Sequence, residues 1–195
     1  MKEIMVDLDN TLVDFTQMLF NHIERNYGYK FDKDEVIDYN FSNLFYRKGC
    51  TKEEIYKFFN SVYSDETLYT NQLILTEYFN KIISIIQHYR NKGYNIVCHT
   101  KVSSKQMKKS KENLFNTKLK SIFDNIIIEY IEGSSIITST KDYHYDVIID
   151  DSPFVVKDYL ENNQDGLVLL PVTKYNKFLL ELYSDRNIQP INIDK

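Results

Sequence analysis

Residues Met5-Val6-Asp7-Leu8-Asp9-Asn10-Thr11-Leu12-Val13-Asp14-Phe15 read MVDLDNTLVDF. An apolar run ends, and two carboxylates follow, one residue apart. Charges taken out of water are costly unless a cation, a metal or a hydrogen-bonding turn compensates them. Working outward, four more short apolar runs appear: Tyr94–Cys98, Ile126–Glu129, Val147–Ile149 and Leu167–Leu170, beside Ile4–Leu8 itself. Each is apolar on both sides, as a strand covered on both faces by helices should be. Helical patterns separate them, so the spacing predicts an α/β fold, a Rossmann-like parallel sheet covered by helices.

The first two runs lie about 80 residues apart, too far for one crossover helix. The end of that interval is helical: Tyr78, Phe79, Ile82, Ile83, Ile86 and Tyr89 share a face, and Arg90, Lys92 and Gly93 are stop signals. Its middle is rich in aromatic residues, among them Phe31, Tyr39, Phe41, Phe45, Tyr46, Tyr56, Phe58, Phe59 and Tyr63. The expectation is a small helical cap over residues 15–77, inserted after the first strand of a core formed by 1–14 and 78–195.

Composition excludes some classes. The 195 residues suffice for a domain with a sizeable core. A net charge of −4 gives no general pull toward nucleic acid or an anionic membrane. No apolar stretch approaches the about 20 residues of a membrane span. Acids stand where a signal peptide would be apolar, and Cys50 and Cys98 are too few for a disulfide framework, so a cytoplasmic protein with free thiols is expected. None of the five glycines forms a GxGxxG or GxxxxGK[ST] loop, which excludes nucleotide binding through those motifs.

In parallel sheets the ligand site lies at the carboxyl ends of the strands. There the sequence places Asp7 and Asp9 after the first run, His99, Thr100 and Lys101 at the second, and Asp150 and Asp151 after VII. Carboxylates converging from separate strands make a hard-oxygen site suited to Mg²⁺.

These residues resemble the motifs of the haloacid dehalogenase (HAD) superfamily of phosphatases. DLDNT is similar to its DxDxT, NIVCHT to its strand-Thr motif and VIIDDS to its acidic motif, in the family's order. Its lone Lys upstream of the acid pair resembles Lys141, the sole Lys or Arg between Lys120 and Lys157. A narrower resemblance is to the 5'(3')-deoxyribonucleotidases: DLDNTLVDF, DVIIDDSP and the Tyr-Asn loop of LVLLPVTKYNK are similar to theirs, while Thr100-Lys101 departs from their Thr-Ser or Thr-Ala.

The resemblance implies a Mg²⁺-dependent phosphomonoesterase. Asp7 is its nucleophile and Asp9 its general acid and base. Asp7, the Asp9 carbonyl and Asp151 hold Mg²⁺, with Asp150 behind them. Thr100 and Lys141 bind the phosphoryl group, and Phe15 lines a base pocket; Lys101, which departs from the family's pattern, lies near the expected phosphate and is a further anion contact by position. The expected substrate is a deoxynucleoside monophosphate, pyrimidine for preference. Other readings are a sugar phosphate, a polynucleotide 3'-phosphate end, or a nucleotide binder without catalysis. A homodimer is one arrangement open to the chain.

Plainer roles are expected elsewhere. Asp14 opens a helical pattern and suits an N-cap. His22, His88, His99 and His144 lack metal-ligand spacing and read as structural or surface residues. Lys101, Lys105, Lys108, Lys109 and Lys111 read as a solvated helix face, with Lys101 and Lys105 nearest the phosphate.

Overall fold

Strands β1 (Glu3–Val6), β2 (Asn95–Val102), β3 (Asn125–Tyr130), β4 (Val147–Ile149), β5 (Leu167–Pro171) and β6 (Ile188–Ile191) form one sheet in the order β3-β2-β1-β4-β5-β6. Every neighbouring pair is parallel. The computed structural model describes residues 2–130 and 144–192. Five strands coincide with the five apolar runs. The sixth was not expected: it is short and contains Pro190, which an edge strand tolerates because the N–H groups on its outer side need no sheet partner.

Both faces of the sheet are covered. Ile4 and Val6 of β1 belong to one core cluster and Met5 to the other, yet all three are buried. Side chains alternate across a strand, so burial on both faces is what makes the strand read as an unbroken apolar run. The second cluster packs beneath helix α7 (Pro153–Asn162), which contributes Val156, Tyr159 and Leu160.

Between β1 and β2 run α1 (Phe15–Tyr27), α2 (Phe41–Arg47), α3 (Lys52–Tyr63), the single turn α4 (Leu68–Asn71) and the crossover helix α5 (Phe79–Asn91). The Asp14 side chain accepts from the Gln17 N–H and caps α1, as its position suggested. Gly28 ends that helix at φ 78°, a left-handed conformation that favours glycine. A reciprocal Thr51–Glu54 capping box opens α3. Phe20, Phe31, Phe45 and Phe58 form an aromatic knot, its closest pair, Phe31–Phe45, 4.7 Å apart by ring centroids. Tyr46 and Tyr56, counted with that cluster on sequence, face solvent instead. The outgoing and returning chains run side by side: the Asp14 N–H donates to the Ile74 carbonyl at 2.8 Å and the Thr76 N–H to the Leu12 carbonyl at 3.0 Å.

After β2 comes α6 (Lys105–Leu114), and after β5 the short α8 (Leu179–Leu182). No helix among the described residues is long and apolar enough to cross a membrane.

Candidate active site

β1 stops at Val6, and the Asp7 N–H still reaches across the sheet to the Ile149 carbonyl at 2.9 Å. Leu8 then turns into the core, which leaves Asp7 and Asp9 on the opposite side of the loop. The turn is tight: the N–H groups of Leu12 and Val13 both donate to the Leu8 carbonyl at 2.9 Å. Asn10 sits at φ 59°, a left-handed position that Asn tolerates better than most side chains. Its side-chain oxygen accepts from both the N–H and the hydroxyl of Thr16 at 2.9 Å, tying the turn to α1.

Two corners result. In the first, Asp7, Asp150 and Asp151 each offer a carboxylate oxygen, all within 4.8 Å of one another. Asp150 accepts from the Ser152 N–H at 2.8 Å. Asp151 accepts from the Thr11 hydroxyl at 3.2 Å and from the Tyr175 hydroxyl. The Asn176 amide bridges the carbonyls of Asp151 and Pro171, 2.9 Å from each. Burial, reinforced by the neighbouring Asp150 and Asp151, pushes the Asp7 carboxyl well above its ordinary range. Burial, then the charge of Asp151, raises Asp150 to about 8. Burial raises Asp151 to about 7 against the opposing hydrogen bonds from Tyr175 and Thr11.

In the second corner Asp9 is fully engaged. Its Oδ1 accepts from the Tyr69 hydroxyl at 2.6 Å and its Oδ2 from the Lys111 ammonium at 2.5 Å. Lys111 is 0% exposed and spends its other two donors on the Thr100 hydroxyl oxygen at 2.7 Å and the Lys101 carbonyl at 2.8 Å. A buried ammonium with three acceptors is the satisfied form of a costly group. Thr100 accepts from Lys111 and so keeps its own hydroxyl hydrogen to donate.

The structure thus gathers Asp7, Asp9, Thr100, Asp150 and Asp151. Lys101 is largely buried close by; burial lowers its ammonium below the usual range, opposed first by Asp150. Phe15 packs parallel to the Tyr69 ring, centroids 6.4 Å apart, and is almost wholly buried. Lys141 lies outside the described residues.

The reading of Lys111 as part of a solvated face is corrected. Lys105 and Lys109 are exposed, but Lys111 shares the buried stripe of α6 with Met107, Ser110 and Leu114. Spacings of four before it and three after it were the available signal. Tyr69, Tyr175, Asn176 and Thr11 were not singled out as site residues. His99 is buried, its Nε2 3.3 Å from the Glu129 carboxylate.

The donor chemistry fits a divalent cation. Four carboxylates (Asp7, Asp9, Asp150, Asp151) face two ammonium groups (Lys101, Lys111) among the described residues, a deficit of two positive charges when all are ionised. Three of those carboxylates already converge as hard oxygen donors. Four tyrosines, Tyr39, Tyr63, Tyr69 and Tyr175, wall the two corners, each with its hydroxyl pushed upward chiefly by burial and then by Asp9 or Asp151.

The sequence matches no protein-family model and no curated relative. Among solved structures, the chain is similar to a Thermotoga maritima protein assigned as a β-phosphoglucomutase, with 14% identity, a TM-score of 0.56, and coverage of 97% of this chain and 93% of that one. It is also similar to a HAD-superfamily hydrolase of subfamily IA from Geobacter sulfurreducens, with 12% identity, a TM-score of 0.52, and coverage of 93% and 96%. At such identities the likeness is one of fold: the chain has the Rossmann-like α/β fold of HAD-superfamily hydrolases.

Proposed function

We propose that the protein is a Mg²⁺-dependent phosphomonoesterase that works through an aspartyl-phosphate on Asp7. One observation carries this reading: two acids from a single turn stand apart, Asp7 among carboxylates that call for a cation and Asp9 against Lys111 and Thr100. Asp7, the main-chain carbonyl of Asp9 and Asp151 would hold Mg²⁺, and Asp150 is close enough to join them. When bound, Mg²⁺ supplies positive charge that lets one anion approach another.

An Asp7 carboxylate oxygen forms a bond to phosphorus as the ester P–O bond breaks. The electron pair of that bond stays with the departing oxygen, which takes a proton from Asp9. In the second half a water attacks phosphorus, Asp9 takes the water's proton, and the Asp7 carboxylate is released. The Thr100 hydroxyl hydrogen, and Lys111 as it turns from Asp9, would supply donors for the phosphoryl oxygens; Lys141 is a further candidate. Preorganised donors and a cation aimed at a transferring phosphoryl group are the usual source of such catalysis.

The substrate favoured by the DLDNTLVDF and DVIIDDSP resemblance is a deoxynucleoside monophosphate lying beneath a cap made by the insertion. A second reading, a smaller ester such as a sugar phosphate, is favoured by Phe15, whose ring is already packed on Tyr69.

Phosphoenzyme trapping tests the chemistry. The Asp9→Asn variant, lacking the base for the second half, is mixed with dinitrophenyl phosphate and Mg²⁺ and quenched in acid. Expected is one phosphoryl group on the peptide carrying Asp7, seen by mass spectrometry. Turnover by the wild type with no phosphorylated Asp7 in the variant would overturn the covalent route.

A further inference from the structure

We propose that Tyr69 is the positioning residue for Asp9, holding Oδ1 so that Oδ2 is presented to the leaving oxygen. The inference rests on the phosphomonoesterase reading and names a part of the site that neither the motifs nor the fold assigns.

Four contacts fix the tyrosine. Its hydroxyl donates to Asp9 Oδ1 at 2.6 Å. Its backbone N–H donates to the buried Ser110 hydroxyl of α6 at 3.0 Å. One side of its ring lies against Phe15, interplanar angle 15°. The Lys111 ammonium stands 5.3 Å from the ring centroid. The side chain is 0% exposed. A four-residue helix such as α4 has too few internal hydrogen bonds to hold itself, so these contacts set where the hydroxyl sits.

Asp9 is gripped at both oxygens, but the two grips differ. Lys111 is a point charge on a flexible stem, shared among Asp9, Thr100 and the Lys101 carbonyl, and an incoming phosphoryl dianion is a stronger partner for it than a single carboxylate. As Lys111 turns its donation to the phosphoryl oxygens, Oδ2 is freed toward the ester. The Tyr69 hydroxyl then remains the contact that stops the carboxyl group rotating. Proton transfer to the leaving oxygen needs that group in place within a fraction of an ångström. An alkoxide or phenoxide leaves poorly without the proton, whereas a dinitrophenolate leaves without help.

The test compares wild type, Tyr69→Phe and Ser110→Ala on phenyl phosphate and dinitrophenyl phosphate in Mg²⁺, reading kcat/KM, which reports the first phosphoryl transfer. Tyr69→Phe keeps the ring and removes the hydroxyl. Expected is a loss of about tenfold on phenyl phosphate and under about twofold on dinitrophenyl phosphate. Ser110→Ala, which loosens the anchor and leaves the hydroxyl, should shift the same ratio in the same direction by less, and it decides the matter if Tyr69→Phe does not fold. Equal losses on both esters, or none on either, would overturn the assignment and assign Tyr69 to packing alone. A wild type that hydrolyses neither ester would instead overturn the phosphomonoesterase reading.

Discussion

The two corners of the site hold similar acids in opposite states. Asp9 is compensated by the protein itself, with a buried ammonium on one oxygen and a tyrosine hydroxyl on the other. Asp7, Asp150 and Asp151 crowd together with hydroxyl and amide donors but, among the described residues, no ammonium in direct contact, and their carboxyl groups are pushed upward. Carboxylates in one small volume can be stabilised from within, as Asp9 is, or by an external cation, which is the proposal for the other three. The proposed chemistry would use that difference: one group that trades protons and one that stays ionised beside a metal.

Removing an acid should have the largest effect on either corner. Asp7→Asn is expected to lower phosphate release by at least about a thousandfold, measured with Mg²⁺ on any ester that the wild type accepts. In chelator the same variant should melt higher than wild type, because it removes one charge from the uncompensated corner. Lys111→Met should do the reverse to stability. It strands Asp9 without its ion pair and costs about 3 kcal/mol by denaturant unfolding, the low end for a broken buried pair because the Asp9 side chain is 25% exposed.

The pH dependence of metal binding sharpens the contrast. Asp150 and Asp151, at about 8 and about 7, lie above their ordinary 3.8 in the folded state. The folded chain therefore keeps protons that the unfolded chain has already released. Without metal, stability is fully present below the unfolded value and is lost as pH rises from about 4 toward about 8. Mg²⁺ competes with those protons, so the gain in Tm on adding it should be larger at about pH 8 than at about pH 5, corresponding to roughly 2–3 kcal/mol at a hundredfold excess over Kd. An equal gain at both pH values would remove the carboxylate corner as the metal site. A smaller effect is expected from Tyr175→Phe, which takes one of two hydroxyl donors from Asp151: the Mg²⁺ concentration for half-maximal activity should rise about tenfold. The smallest belongs to Lys105→Ala on the exposed face of α6, within about 0.5 kcal/mol in unfolding.

The same contrast separates what was legible in the sequence from what was not. Asp7, Asp9, Asp150 and Asp151 stand where apolar runs end, and strand ends are readable because a strand buried on both faces is an unbroken apolar word. The sheet followed from the same runs, except β6, where Pro190 masks an edge strand. The partners of Asp9 were hidden for two different reasons. Lys111 sits in a charge run that hides its helix face, although Met107 and Leu114 flank it at core spacing. Tyr69 lies 60 residues from Asp9 in a turn with no local pattern, and only tertiary contacts bring it there. Thr11 stood in the first motif without a role until the fold set its hydroxyl on Asp151. Local periodicity reports burial; it does not report which distant donor completes an acid.

In the proposed function the carboxylate corner and the Lys111-paired acid together hydrolyse phosphate esters with Mg²⁺. The direct test is phosphate release by the wild type, with Mg²⁺ and with chelator, across deoxynucleoside monophosphates, sugar phosphates and p-nitrophenyl phosphate. Expected is release that requires Mg²⁺ and is abolished in Asp7→Asn. No release from any ester, or release that is indifferent to chelator and survives in Asp7→Asn, would contradict it.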